Sequence, residues 1–279
     1  MKETATYLKI LFLMKYSILG CGWLGFPLAQ HLIGQKHTVY GSTTSPKKLE
    51  LFTVNNIFAF LINIEDNKIT GAIDAFLQTD ILIIDIPFGR QKNNLVAYKK
   101  LALLLEKSPV TKVIFISSTS VYADNNGLIK EDSDFIVNPL KQALIDLENI
   151  FLHHHGFKTT IIRFSGLIGG SRHPGNFFKE GRIVKNGLAP INLIHLEDCI
   201  NIIQLISEMN FPGEVFNATA DTHPTRKEFY TAASLSKGHI PAQFLTNTDF
   251  NYKIICNQKL KNLVGYQFKH ANLMASFNI

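Results

Sequence analysis

From Tyr16 onward the chain alternates short apolar runs with stretches whose apolar residues recur three and four positions apart. The run Tyr16 to Leu19 predicts a strand, and Phe26, Leu28, Ala29, Leu32 and Ile33 then fall on one face of a helix. His37 to Gly41 reads as a second strand, Lys47 to Asn55 as a helix, and Ile57 to Ile62 as a third strand. Asp80 to Pro87 holds an unbroken Ile-Leu-Ile-Ile core, the pattern of a strand covered on both faces. Leu95, Tyr98, Leu101, Ala102 and Leu105 mark the next helix, and Lys112 to Ser117 the next strand. Asn138-Pro139 offers a cap and a first-turn proline to a helix carrying Leu140, Ala143, Leu144, Leu147 and Phe151. Lys158 to Arg163 makes a further strand, and a helix is expected from about Glu197 to Glu208. Strands alternating with helices imply parallel pairing through crossover helices, an α/β fold of the doubly wound Rossmann type. Regularity weakens after the glycine-rich stretch Gly166 to Gly175. The expected division is therefore a dinucleotide-binding domain at 15–165, rejoined by 191–219, and a smaller C-terminal substrate lobe from 166–190 and 220–279.

Composition narrows the class without changing that picture. With 279 residues, 46% of them hydrophobic, the chain has enough material for a sizeable core. No stretch approaches a membrane span, and in the opening segment only Ile10 to Met14 is an apolar run, too short for a signal-peptide core. A soluble, cytoplasmic protein with no membrane partner is expected. Residues 1–14 read as an extension or as preceding an alternative start at Met14, so deleting 1–13 should leave stability unchanged. Cys21, Cys199 and Cys256 lie far apart with no C-x-x-C spacing, which suggests neither disulfides nor a zinc site. The net charge of +6 is scattered along the chain rather than gathered in one block, which argues against nucleic acid and leaves anionic small molecules as partners. His153, His154 and His155 cannot converge on one metal while helical, and fit a solvated helix end.

The chemistry gathers where strands end. Gly20-Cys21-Gly22-Trp23-Leu24-Gly25 follows the first strand and opens the first helix, the G-x-G-x-x-G order of a dinucleotide cradle. There the glycines serve the tight turn, the close approach of a pyrophosphate and helix–strand packing, with phosphates at the helix N-terminus. After the second strand comes Gly41-Ser42-Thr43-Thr44-Ser45-Pro46-Lys47-Lys48, with no acid before Glu50. Hydroxyls and lysines suit a 2′-phosphate better than a bare ribose, so NADP is expected, with NAD possible. Ser45 and Pro46 serve equally well as an ordinary helix start.

Several blocks together resemble the extended short-chain dehydrogenase/reductases, the family of NAD-dependent epimerases and dehydratases. They are the glycine loop, Phe115 to Tyr122, Ile162 to Arg172, Ile194 to Asp198, and Val215 to Ala218. The glycine spacing differs from the family's commoner G-x-x-G-x-x-G and looks like one of its atypical branches. By this resemblance Ser118 takes the place of the catalytic serine or threonine beside the reacting carbonyl or hydroxyl, Ser117 lies against the cofactor, and a homodimer is plausible. The family's Tyr and Lys, spaced Y-x-x-x-K, should stand on the helix after Pro139. Matching Glu148 to the acid that follows them places Leu140 and Leu144 there instead. No tyrosine in the chain has a lysine four residues on, and Lys141 should point about a quarter turn from Leu140.

Other candidates carry two readings each. Arg90, beyond Pro87-Phe88-Gly89, could hold the cofactor's ribose, an anionic substrate or a surface ion pair. Tyr122 suits the cleft edge or plain packing, and Arg172 with His173 a substrate phosphate or carboxylate or an exposed loop. His195 and Asp198 fit the capping of the following helix. The resemblance implies an NADP-binding oxidoreductase or nucleotide-sugar epimerase with non-standard catalysis, its substrate a carbonyl compound or nucleotide sugar. The alternative is a catalytically inactive NAD(P)-binding sensor.

Overall fold

The computed structural model describes residues 13–86, 94–178, 180–247 and 249–277. Pro87 and Arg90, and the segment 1–12, lie outside these residues.

Seven strands form one sheet, all pairs parallel: β1 (Lys15–Leu19), β2 (Thr38–Thr43), β3 (Phe58–Leu61), β4 (Ile81–Ile84), β5 (Lys112–Ser118), β6 (Lys158–Phe164) and β7 (Val215–Ala218). Their spatial order is β7-β6-β5-β4-β1-β2-β3. The order reverses between β1 and β4, and a parallel sheet places its ligand crevice beyond the carboxyl ends at such a point. The last strand comes from chain that has already left the sheet once: β7 pairs with β6 from Val215 opposite Ile161 to Ala218 opposite Phe164.

Among the described residues there are eight helices: α1 (Gly25–Gly34), α2 (Leu49–Val54), α3 (Ile73–Phe76), α4 (Leu95–Leu105), α5 (Pro139–Leu152), α6 (Leu196–Glu208), α7 (Arg226–Leu235) and α8 (Gln258–Val264). On one face Leu28, Ala29 and Leu32 of α1 meet Cys199, Ile202, Ile203 and Ile206 of α6 over β1 and β6. On the other, Tyr98, Leu101 and Leu105 of α4 join Leu144, Leu147 and Phe151 of α5 over β4 and β5. Ile81, Leu82, Ile83 and Ile84 are shielded on both sides at 0–2% exposure. Each contributes roughly 1.5–3 kcal/mol of burial before conformational entropy is charged. A third cluster gathers Ile168, Ile191, Leu193, Phe229, Tyr230, Leu273 and Phe277. The strand pairs beside this cluster are short, such as Gly166–Ile168 with Leu193–His195 and Lys253–Ile255 with Gly127–Ile129.

Local signals account for most element boundaries. Asn138 caps α5 by accepting the N–H groups of Leu140 and Lys141 at 2.9 and 3.3 Å, with Pro139 at the first position. Thr225 and Glu228 close a reciprocal capping box on α7. The helix expected at Lys47 to Asn55 is instead a 3-10 turn over Pro46–Lys48 followed by α2. No side chain caps either start, so the first turn tightens instead. α5 stops at Leu152, and beyond it the His154 ring stacks on Phe157 with centroids 4.4 Å apart.

Candidate functional site

β1 delivers the chain into the glycine loop at the crevice. Gly20 sits at φ +106°, and a Cβ there would stand 2.3 Å from the Asp85 carbonyl oxygen, so only glycine fits. A Cβ on Gly25 would meet the Gly20 carbonyl at 2.5 Å, which is how α1 can start against the end of β1. Gly22 faces open space. Ser42, at the end of β2, holds the loop from the far side: its hydroxyl accepts the Gly20 N–H at 2.9 Å and its carbonyl the Cys21 N–H at 2.9 Å.

α1 begins with no side-chain cap and no acidic residue in its first turn. The Trp23 and Leu24 N–H groups make no hydrogen bond among the described residues, and the buried indole N–H of Trp23 also lacks an acceptor. The positive end of a helix with free donors is a site for an anion. In front of it lies a cavity of ≈ 380 Å³ lined by Gly20, Gly22, Trp23, Leu24, Ser42, Thr43, Thr44, Ser117, Ser118 and Arg172, all sequence candidates. Gly25 supports the loop from behind. Lys47 does not reach the wall; Lys48, next along the 3-10 turn, does. Arg172 was expected to meet substrate, yet its guanidinium lies over the Trp23 ring, 4.4 Å from the centroid, on the rim of this cavity. His173 caps the turn Pro174–Asn176 through the Gly175 N–H at 3.1 Å.

Asp85 was not anticipated. It stands just past β4, and its carboxyl accepts the Gly25 N–H at the mouth of α1. Burial pushes this carboxyl up to about 8, against the opposing pull of the Gly25 N–H and Arg172. Burial thus favours the protonated form of an aspartate that stands beside free helix-start donors.

The end of β5 carries the second feature. Ser118 donates to the Ser120 hydroxyl at 3.0 Å and accepts the Ser120 N–H at 3.2 Å, while the Lys141 ammonium donates to the same Ser120 oxygen at 2.7 Å. Lys141 does leave α5 one residue past Leu140, but its stem carries the charge back to the serines. Ser118 borders the first cavity and also a second, ≈ 380 Å³, lined by Ser120, Asp124, Asn192, Arg226, Tyr230 and Lys253 among others. Lys253 binds Asp124 at 2.9 Å and the Tyr122 carbonyl at 2.8 Å.

Tyr122 itself cannot meet a substrate. It is 0% exposed, its hydroxyl donating to Asn217 at 2.8 Å and accepting Arg163 at 2.6 Å. Arg163 in turn binds both oxygens of the buried Glu148, at 3.0 and 2.5 Å. Ser117 turns its hydroxyl into this network, donating to Glu148 at 2.5 Å, so it can offer a cofactor little beyond backbone. A fork-to-carboxylate pair with its remaining valences filled is the form in which a buried ion pair is tolerated.

His195, Glu197 and His270 could together hold a metal among the described residues, but their atoms are committed otherwise. The Nδ1 of His195 accepts the Glu197 N–H as the cap of α6, leaving the proton on Nε2. Glu197 pairs with Lys269 and His270. Asp198, fully buried, accepts the Tyr266 hydroxyl at 2.6 Å and the N–H groups of Lys269 and His270, which pins the C-terminal segment to α6.

Comparison with known proteins places the chain. It is 33% identical over 266 residues to Escherichia coli (strain K12) protein YeeZ, covering 92% of this chain and 96% of that protein. The chain belongs to the YeeZ family. No family model matches it. Among solved structures, a functionally unknown conserved protein from Silicibacter pomeroyi superposes with a TM-score of 0.77 at 19% identity, over 95% of this chain and 96% of that one. UDP-glucuronic acid 4-epimerase from Bacillus cereus, solved with UDP-glucuronic acid and NAD, gives 0.76 at 19% identity over 95% and 96%. A short-chain dehydrogenase/reductase superfamily protein from Agrobacterium tumefaciens with bound NAD gives 0.72 at 16% over 91% and 92%. At these identities the shared property is the fold, the Rossmann-type α/β architecture expected from the sequence. No helix among the described residues is long and apolar enough to cross a membrane.

Proposed function

We propose that this protein is an NADP-dependent oxidoreductase or epimerase-type enzyme acting at a carbonyl or hydroxyl carbon of a small polar substrate, nucleotide sugars included. The observation that carries this reading is the position of Ser118, whose residue borders both cavities. The first cavity suits a dinucleotide: free N–H groups at an uncapped helix start, an open glycine edge, and an aspartate whose protonated form burial favours. Trp23 and Leu24 would hold the pyrophosphate, and Ser42, Thr43, Thr44 and Lys48 a 2′-phosphate. The bound dinucleotide supplies or takes up hydride. The second cavity would receive the substrate, with Arg226 and Lys253 as its cations and Ser118 donating to the reacting oxygen.

Support for the substrate class comes from the fold neighbour solved with UDP-glucuronic acid. The homodimer suggested by the family resemblance would use α4, where Val96 and Leu103, seven residues apart on one face, are 62% and 56% exposed. Calorimetric titration with NADPH and NADH tests the proposal: NADPH should bind more tightly, and binding of neither overturns it. A second reading, dinucleotide binding without turnover, is favoured by Leu144, which lines the first cavity where the resemblance would place a lysine. Stereospecific transfer of deuterium from labelled NADPH to a carbonyl probe ends that alternative.

A further inference from the structure

We propose that Lys141 is the proton reservoir of this site, connected through Ser120 to Ser118, and that this serine–serine–lysine chain serves the acid–base role that the family resemblance would give to a tyrosine at the position of Leu140. The inference deepens the function proposed above and rests on it.

The contacts form an unbroken line. Lys141 Nζ lies 2.7 Å from Ser120 Oγ, which lies 3.0 Å from Ser118 Oγ, and Ser118 opens onto both cavities. The ends of the line are fixed. The Ser118–Ser120 turn is closed by the N–H of Ser120 on Ser118 Oγ, and the first turn of α5, which carries Lys141, is capped by Asn138. Lys141 has no carboxylate partner among the described residues. The charge that acts on it is Lys253, from the strand Lys253–Ile255, which itself pairs with Asp124. Burial first, and the Lys253 charge second, hold the Lys141 amine below the ordinary lysine range. An unpaired, half-buried ammonium that meets a like charge and a hydroxyl is set to release a proton, whereas a structural lysine is usually held by an anion.

Hydroxyl hydrogens rotate, so the chain can run from Lys141 to Ser120 to Ser118 to a substrate oxygen. In reduction, a substrate carbonyl carbon gains a C–H bond by accepting hydride from the reduced nicotinamide dinucleotide, and the C=O π pair moves to oxygen. That oxygen takes the Ser118 proton, Ser118 takes the Ser120 proton, and Ser120 takes one from the Lys141 ammonium. The neutral amine is recharged by water. Alcohol oxidation runs the same transfers backwards, with the oxidised dinucleotide accepting hydride.

The test uses the full chain with NADPH and two carbonyl probes, 2,3-butanedione and cyclohexanone. Alongside it run calorimetry with NADPH, thermal melting, and trinitrobenzenesulfonate labelling of Lys141 in protein without dinucleotide. Lys141→Met and Ser120→Ala should each slow probe reduction by about 100-fold, and the double variant no further. Measured at saturating NADPH, where the titration of Asp85 does not enter, both should lose the alkaline limb of the pH–rate profile while melting and NADPH affinity stay native. Lys141→Arg should be as slow as Lys141→Met, because guanidinium does not release its proton. The Lys141 amine should label at lower pH than exposed lysines. A Lys141→Met protein that keeps the native rate or the alkaline limb overturns the assignment, as does a native protein that binds NADPH but reduces neither probe. Failure of the native chain to bind either dinucleotide overturns instead the function on which the assignment rests.

Discussion

Replacing Asp85 by asparagine should stabilise the protein in alkaline but not in acid solution. Burial pushes the carboxyl up to about 8 in the folded chain, from an ordinary value of 3.8. Between those two values the unfolded chain has lost the proton and the folded chain keeps it, so the folded state binds more protons and stability falls as pH rises across the window. Below pH 4 and well above pH 8 the slope vanishes. Each unit of difference is worth about 1.4 kcal/mol, so the whole gap sets a ceiling of about 6 kcal/mol. Asp85 borders an open cavity where water relaxes around the charge, and an effective dielectric constant near that of other protein sites cuts the figure to roughly 2–3 kcal/mol. Asparagine keeps an acceptor for the Gly25 N–H but never ionises. The melting temperature of Asp85→Asn minus that of the native chain should therefore climb between pH 5 and pH 8, by roughly 5 °C for a chain of this size. Circular dichroism melts at four pH values measure it. A difference that stays flat with pH would refute the burial argument.

The same substitution probes ligand binding. A pyrophosphate at the start of α1 adds negative charge beside this carboxyl, and an ionised Asp85 repels it. NADPH affinity of the native protein should fall as pH passes 8, and that of Asp85→Asn should not.

Glu148→Ala should cost roughly 3–5 kcal/mol by urea denaturation, because it strands the Arg163 charge in the core; a loss under 1 kcal/mol would mean that water replaces the carboxylate. Lys48→Ala should weaken NADPH binding by about tenfold, the worth of one charge-assisted hydrogen bond, and leave NADH unchanged in calorimetry. Lys47→Ala should alter neither. Gly20→Ala should abolish dinucleotide binding, since a Cβ would stand 2.3 Å from the Asp85 carbonyl oxygen at a backbone angle costing about 1–2 kcal/mol for an L-residue; native affinity in this variant would contradict the loop geometry.

The fold was readable because its signals are local and repeated. Runs such as Ile81–Ile84, short and rich in β-branched residues, read as strands covered on both sides, and helices such as α6 announce a single apolar face. The chain returns to the sheet at β7, Val215–Ala218. Periodicity alone gives no reason why a four-residue strand should pair with β6 rather than stay in the lobe. The lobe was opaque for the reason it is irregular. Its strands are two or three residues long, and its cohesion comes from Phe229, Tyr230 and Phe277 meeting across more than forty positions of sequence.

The site divides along the same line. The glycine loop and Ser42 were legible because a tight turn between strand and helix leaves only certain residues possible at each step. Asp85 and Lys141 were hidden because their roles arise from distance in space. A carboxylate that closes a hydrophobic run looks like the solvated end of a strand until Gly25 and Arg172 are brought beside it. Lys141 looks misdirected on a helical wheel, and it is the stem of four methylenes that corrects the angle, a freedom that no backbone periodicity encodes. Tyr122 errs in the opposite sense: its place after Ser118 invites a role in chemistry, yet Arg163 and Asn217 hold it wholly in the core. Arg163, Glu148 and Ser117 complete that structural network directly behind Ser118. β5 thus presents adjacent serines to two different tasks. Ser117 turns inward to secure the sheet against α5, and Ser118, on the opposite face of the same strand, is left at the junction of the two cavities.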